Sequence, residues 1–213
     1  MTLIGPKSAV NSRVPLRSAA AIERLRPWLC WIALLAVFAV GLSPRRLFAQ
    51  TLQPNEYQVE AAYLYNFGKF VSWPSAYTSK FRGRFAICVF NHDPLAPVLQ
   101  SMLAGKQLRS TPVAIQRIDQ PQQAVGCRVL FIGSAKKRQL NIILAALGSA
   151  SVLTVSDIAG FSKHGGMIQF LMVGDHVRFV INRTMAQKAG LVLDSDLLKV
   201  AVAVLQTGRT GGP

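Results

Sequence analysis

The sequence predicts a three-layer α/β domain with a mostly parallel sheet, and three observations lead there. Compact apolar runs bounded by turn residues recur from Arg84 to Ile181. Amphipathic stretches at helical spacing alternate with the earlier runs. No internal repeat or linker interrupts residues 54–206. Strand–helix–strand alternation of this kind builds a sheet covered by helices on both faces. A length of 213 residues gives one ordinary domain plus a short appendage, and 51% apolar with 15% charged residues excludes a disordered chain.

Residues 1–49 read as an address. Trp28 to Leu42 carry no charge, a run shorter than the about 20 residues a spanning helix needs. Arg24 and Arg26 precede it and the small Ala49 follows, the order of parts in a secretory signal peptide. Leu47 is a poor fit two residues before the cleavage site, so an uncleaved anchor is the alternative. Arg45-Arg46 follow the apolar run and are therefore no twin-arginine signal. The expectation is a periplasmic domain over 50–206, starting near Gln50, with a disordered tail at 207–213. The net charge of +15 belongs partly to this leader, which holds seven bases against Glu23.

Asn55–Trp73 predicts an amphipathic helix, with Tyr57, Ala61, Leu64, Phe67 and Val71 on its apolar stripe and Pro74 as its stop. Glu56 and Glu60 suit the positive end of its dipole, and Lys69 the negative end. Arg84–Phe90 predicts a strand. Asp93 then caps a helix whose buried face is Leu95, Val98, Leu99, Met102 and Leu103, closed by Gly105. Pro112–Ile118 and Cys127–Ile132 predict strands. Ser134 caps a helix with Leu140, Ile143, Leu144 and Leu147 inward, and Gly148 ends it. Ser151–Val155 is a further strand. Met167–Val173 and His176–Ile181 flank Gly174-Asp175, a hairpin signal. A helical turn at Thr184–Ala189 precedes a final helix over Ser195–Gln206, apolar nearly all round and hence expected to be buried.

Ligands in open parallel sheets gather beyond the carboxyl ends of the strands. Those ends carry Asn91-His92-Asp93, Gly133-Ser134 and Ser156-Asp157. No GxGxxG, GxxxxGK[ST] or GxSxG pattern occurs there, so neither a phosphate loop nor a nucleophile elbow is expected. Asp93 reads as a helix cap beside a surface His92, and His164-Gly165-Gly166 as a turn. Asp194 and Asp196 serve a helix start. Lys136-Lys137-Arg138 oppose the dipole of their helix; they form either a solvated face or a contact for an acidic partner or anionic membrane surface. No catalytic residue, cofactor site or metal site is expected, and no nucleic acid partner. Once Cys30 leaves with the leader, Cys88 and Cys127 remain. In an oxidising compartment an even pair reads as a disulfide, the other reading being two small buried hydrophobes. The disulfide is the expectation, although two in-register parallel strands could hold these residues beyond the about 7 Å that bonding allows.

The strings EYQVEAAYLYNFGKFVSWP (56–74), FAICVF (85–90), CRVLFIG (127–133), LTVSDIAGFSKHGGMI (153–168) and VRFVINRTMAQKAGLVLDSDLLKVA (177–201) occur in that order. Together they resemble the YfiR-like family of exported bacterial proteins. The resemblance implies an α/β fold, homodimerisation, a redox-sensitive disulfide and no catalytic residues. It also implies a periplasmic regulator that represses an inner-membrane diguanylate cyclase, lowering cyclic-di-GMP signalling and biofilm formation. Cys88 and Cys127 match cysteines of the family's corresponding strands, whereas its cysteines near 157–172 have no counterpart, leaving one bond. Relatives also occur beside membrane sensor kinases and outer-membrane receptors, and partner-contact positions do not transfer. The alternative function is an exported small-ligand or sensor module, working with a sensor kinase or transporter and using the crevice at the strand ends.

Overall fold

A computed structural model describes residues 55–81 and 83–206. The leader with Cys30, its cleavage site and the tail at 207–213 lie outside the described residues. Asn55 opens the domain by accepting the Gln58 amide, and the Gln58 side chain returns the bond, closing a capping box on α1 (Glu56–Phe70). The helix ends three residues before the expected Trp73. Val71–Ser72 leave it as strand β1, paired antiparallel with β9 (Val192–Leu193), a contact no local pattern announces. A short helix α2 (Ser75–Lys80) then leads into the main sheet.

The main sheet contains β2 (Phe85–Phe90), β3 (Gln107–Leu108), β4 (Thr111–Ile118), β5 (Val129–Ile132), β6 (Leu153–Ser156), β7 (Ile168–Val173), β8 (His176–Asn182) and β10 (Ala203–Leu205). Their spatial order is β3-β4-β2-β5-β6-β7-β8-β10. The pairs from β4 across to β7, and β8 with β10, are parallel; β3–β4 and β7–β8 are antiparallel. This is the mostly parallel α/β sheet that the alternation predicts. The hairpin forms around Gly174-Asp175, with Gly174 at φ +57 as a Gly-X loop demands.

Each face of the sheet has its own core. On one, α1 and α3 (Leu95–Leu103) cover Ile87, Val89, Val129, Phe131 and Phe170. Tyr63 and Phe67 of α1 meet Phe179 edge-on, at 5.3 and 5.2 Å between ring centroids, which seats the helix on the hairpin. On the other face, α4 (Leu140–Leu147) buries Leu140, Ile143 and Leu147 against Leu130 and Ile132. Full burial of each such side chain is worth about 1.5–3 kcal/mol.

Three expectations are corrected. Met102 is exposed and Ala96 takes the inward position on α3, because the helix lies rotated toward its Leu95–Leu99 edge. Ser134 starts a 3-10 turn (Ser134–Gln139) without capping it. The final helix is short and surface-lying: α6 runs Ser195–Val200 with only Leu197 buried, and Ala203–Leu205 adds to β8 as β10. The free edge of β8 offered those apolar residues a parallel strand, so they cover an edge instead of filling a core. Between them lies α5 (Arg183–Lys188), capped by Asn182.

Cys88 and Cys127 are joined by a disulfide with Cα atoms 5.9 Å apart. Cys88 stands in register with Leu130, three residues beyond its partner. The bond is within reach because Cys127 lies outside the ladder, closing the 3-10 turn Pro121–Gly126. Both sulfurs sit in the core between the sheet and α4.

Candidate functional site

After β2 the chain crosses through α3 to β4 on one side; after β4 it returns to β5 on the other. The direction of winding therefore reverses between β2 and β5, and their carboxyl ends flank the crevice where such folds place ligands. The residues read from sequence do converge there. Asp93 follows β2 and accepts the Leu95 amide at 2.9 Å. Its carboxylate packs against Gly133, at the end of β5, in the space a Cβ would need. Ser156, at the end of β6, donates to the Ile132 carbonyl at 2.6 Å and accepts the Ile158 amide at 2.9 Å. The hydroxyl thus ties β5 to β6 and is committed to structure. Asp157 follows and is hydrogen-bonded by Ser134, yet its Oδ1 is buried without a hydrogen-bond partner.

Glu60 completes the group. It is 2% exposed, on the face of α1 that meets the sheet. Burial first, then the charges of Asp157, Glu56 and Asp93, pushes its carboxyl up to about 8. Burial likewise raises Asp93, opposed by the Leu95 amide, and raises Asp157, opposed by Ser134. Glu60 is consequently protonated at neutral pH, a neutral hydrogen-bond donor beside two acidic side chains. Such a group can hold and release a proton close to physiological pH, or receive a ligand's cationic or hydrogen-bonding end.

The sequence assigned Glu60 only to the helix dipole. Its position three residues after Tyr57 and four before Leu64, on the apolar stripe, was the available signal. The other candidates stand apart from the crevice chemistry. His92 is an exposed turn residue at φ +65. His164 is exposed and its Nδ1 bonds the Gly160 carbonyl at 2.8 Å, within a turn. Asp194 caps α6 and Asp196 pairs with Lys199 at 2.9 Å. Lys137 and Arg138 are exposed, while Lys136 lies over the Phe90 ring at 5.0 Å. Among the described residues no three His, Cys, Asp or Glu side chains are placed to hold a metal ion, and no helix is long and apolar enough to cross a membrane.

Fold and crevice define a doubly wound α/β domain with a carboxyl-lined switch point. Residues 57–202 match the model of the YfiR/HmsC-like family, and the chain belongs to that family. No curated protein matches it. Two solved structures are loosely similar. One is a conserved domain protein from Vibrio cholerae, at 13% identity and a TM-score of 0.45, over 56% of this chain and 54% of that one. The other is the ABC domain in complex with L-Trp from Streptococcus pneumonia, at 9% identity and a TM-score of 0.41, over 57% of this chain and 55% of that one. The chain spans about half the length of each.

Proposed function

We propose that this protein is an exported regulator that represses a membrane signalling protein from the periplasmic side, with a diguanylate cyclase as the target. The observation that carries the reading is the family match across residues 57–202, which takes in every strand of the main sheet except the edge strand β10. The charged–apolar–small order of residues 1–49 supports export. Repression is a differential effect: the regulator must bind the inactive conformation of its target more tightly than the active one, since equal affinity shifts nothing. Deleting the gene tests this. Cyclic-di-GMP and surface attachment should rise, and unchanged levels in a strain that normally expresses the protein would reject the cyclase as target.

A second reading, a small-ligand sensor module, is favoured by one feature. Asp157 leaves a buried oxygen unpartnered at the switch point, beside the protonated Glu60. A ligand donor there would satisfy a group that otherwise costs about 1–3 kcal/mol. Regulation and sensing are compatible, because a ligand that favours one conformation of the regulator alters its grip on the target.

A further inference from the structure

At the opposite, amino end of the sheet, a cavity of about 420 Å³ opens between the end of α1, β1 and the starts of β2, β4 and β5. Arg84, Arg109 and Arg128 line it together with Trp73 and Thr78, and no Asp or Glu does. Arg128 is only 6% exposed. Its guanidinium lies over the rings of Tyr77 and Trp73, at 5.2 and 5.8 Å from their centroids. Its hydrogen bond is a long one, 3.5 Å to Thr78 Oγ1, and it has no ion pair among the described residues. Burial works against this charge, lowering the Arg128 pKa, with Tyr77 opposing. Trp73, another lining residue, has its Nε1 buried without a hydrogen-bond partner.

The rim is held in an unfavourable conformation. Arg109 and Ser110 turn the chain from β3 to β4 with φ of +47 and +62, where glycine or asparagine is the usual choice. The Arg109 Nη2 donates to the Lys69 carbonyl at 2.8 Å, which fixes its head at the cavity mouth. A buried cation without a counter-charge and a buried indole donor without an acceptor are each costly. A negatively charged ligand oxygen at the guanidinium relieves the first of these, and guanidinium groups match carboxylate and phosphate geometry.

We propose that this cavity binds a small organic anion through a carboxylate or phosphate group, with Arg128 as the inner donor and Arg109 and Arg84 at the mouth. The volume suits a ligand of metabolite size. Trp73 and Phe85 give the cavity an aromatic lining. This site is independent of the switch-point crevice and of the identity of any membrane target.

Calorimetric titration of the full chain with phenyl phosphate, with benzoate and with neutral benzyl alcohol tests the assignment. At least one anion should bind one-to-one, tighter than about 1 mM, while the alcohol does not. Which anion binds distinguishes a phosphate site from a carboxylate site. Arg109→Gln and Arg84→Gln, both on the exposed rim, should each weaken binding about tenfold with an unchanged denaturation midpoint. Arg128→Gln should abolish binding; if that variant fails to fold, Arg109→Gln and Arg84→Gln still decide. Failure of both anions to bind, equal binding of the alcohol, or affinity indifferent to Arg109 and Arg84 would overturn the proposal.

Discussion

The Asp93 carboxylate fills the space that a side chain at Gly133 would require. Gly133 has φ −71 and ψ 161, a conformation any residue adopts, so its neighbour and not its backbone excludes a side chain. Gly133→Ala should therefore cost about 1–3 kcal/mol, read as a lower denaturant midpoint. Combining it with Asp93→Ala, which empties that space, should cost less than the two single changes added. Additive costs would show that the two residues do not compete for one volume.

Glu60 sets a pH dependence of stability. Its carboxyl is raised to about 8 in the folded chain from an ordinary 4.5, so the folded state keeps a proton that the unfolded state has lost. The stabilising contribution is full below the ordinary value and disappears as pH rises through about 8. Unfolding free energy measured from pH 5 to 9 should fall across that window, by an amount on the order of a few kcal/mol. Glu60→Gln should flatten the profile and exceed the wild type above pH 8. A wild-type profile that rises over this range would contradict the buried, protonated assignment.

Reducing the Cys88–Cys127 bond should lower stability. The pair closes a loop of 39 residues, for which chain entropy gives roughly 4 kcal/mol before any compensating effect. Denaturation with and without reductant measures the difference. Coincident curves, with the bond verified by mass, would show that the core around α4 holds the loop without it.

Tyr77 buttresses the turn before β5. Its hydroxyl lies 2.7 Å from the Val125 carbonyl and 2.6 Å from that of Cys127. Burial pushes the Tyr77 hydroxyl up to about 12, against the pull of Arg128, so it remains a donor through neutral pH. Tyr77→Phe should cost about 1–3 kcal/mol, because the partly buried Cys127 carbonyl loses its partner. A cost near zero would mean that water replaces the hydroxyl.

Much of this architecture was legible in the sequence because local chemistry and global packing agree there. Asn55 marks the start of α1, the all-buried runs FAICVF and VLFI mark central strands, and Gly174 marks the hairpin. What escaped depends on distant neighbours. Two-residue strands such as Val71–Ser72 have no period to read. The apolar stretch up to Leu205 fits a helix or a strand equally well, and the open edge of β8 decided it. The strand ends placed Asp93, Gly133 and Asp157 at the crevice, since strand order alone brings them together. Glu60 and Arg128 were missed because a charged side chain in an apolar segment looks solvated until the packing around it is known.

The most direct test of regulation from outside the cytoplasm is cyclic-di-GMP in a deletion strain carrying either the full chain or a form lacking residues 1–49. The full chain should return the raised level to that of the parent, and the leaderless form should leave it raised. Equal restoration by the leaderless form would contradict the exported site of action, and no restoration by either would contradict the regulatory role.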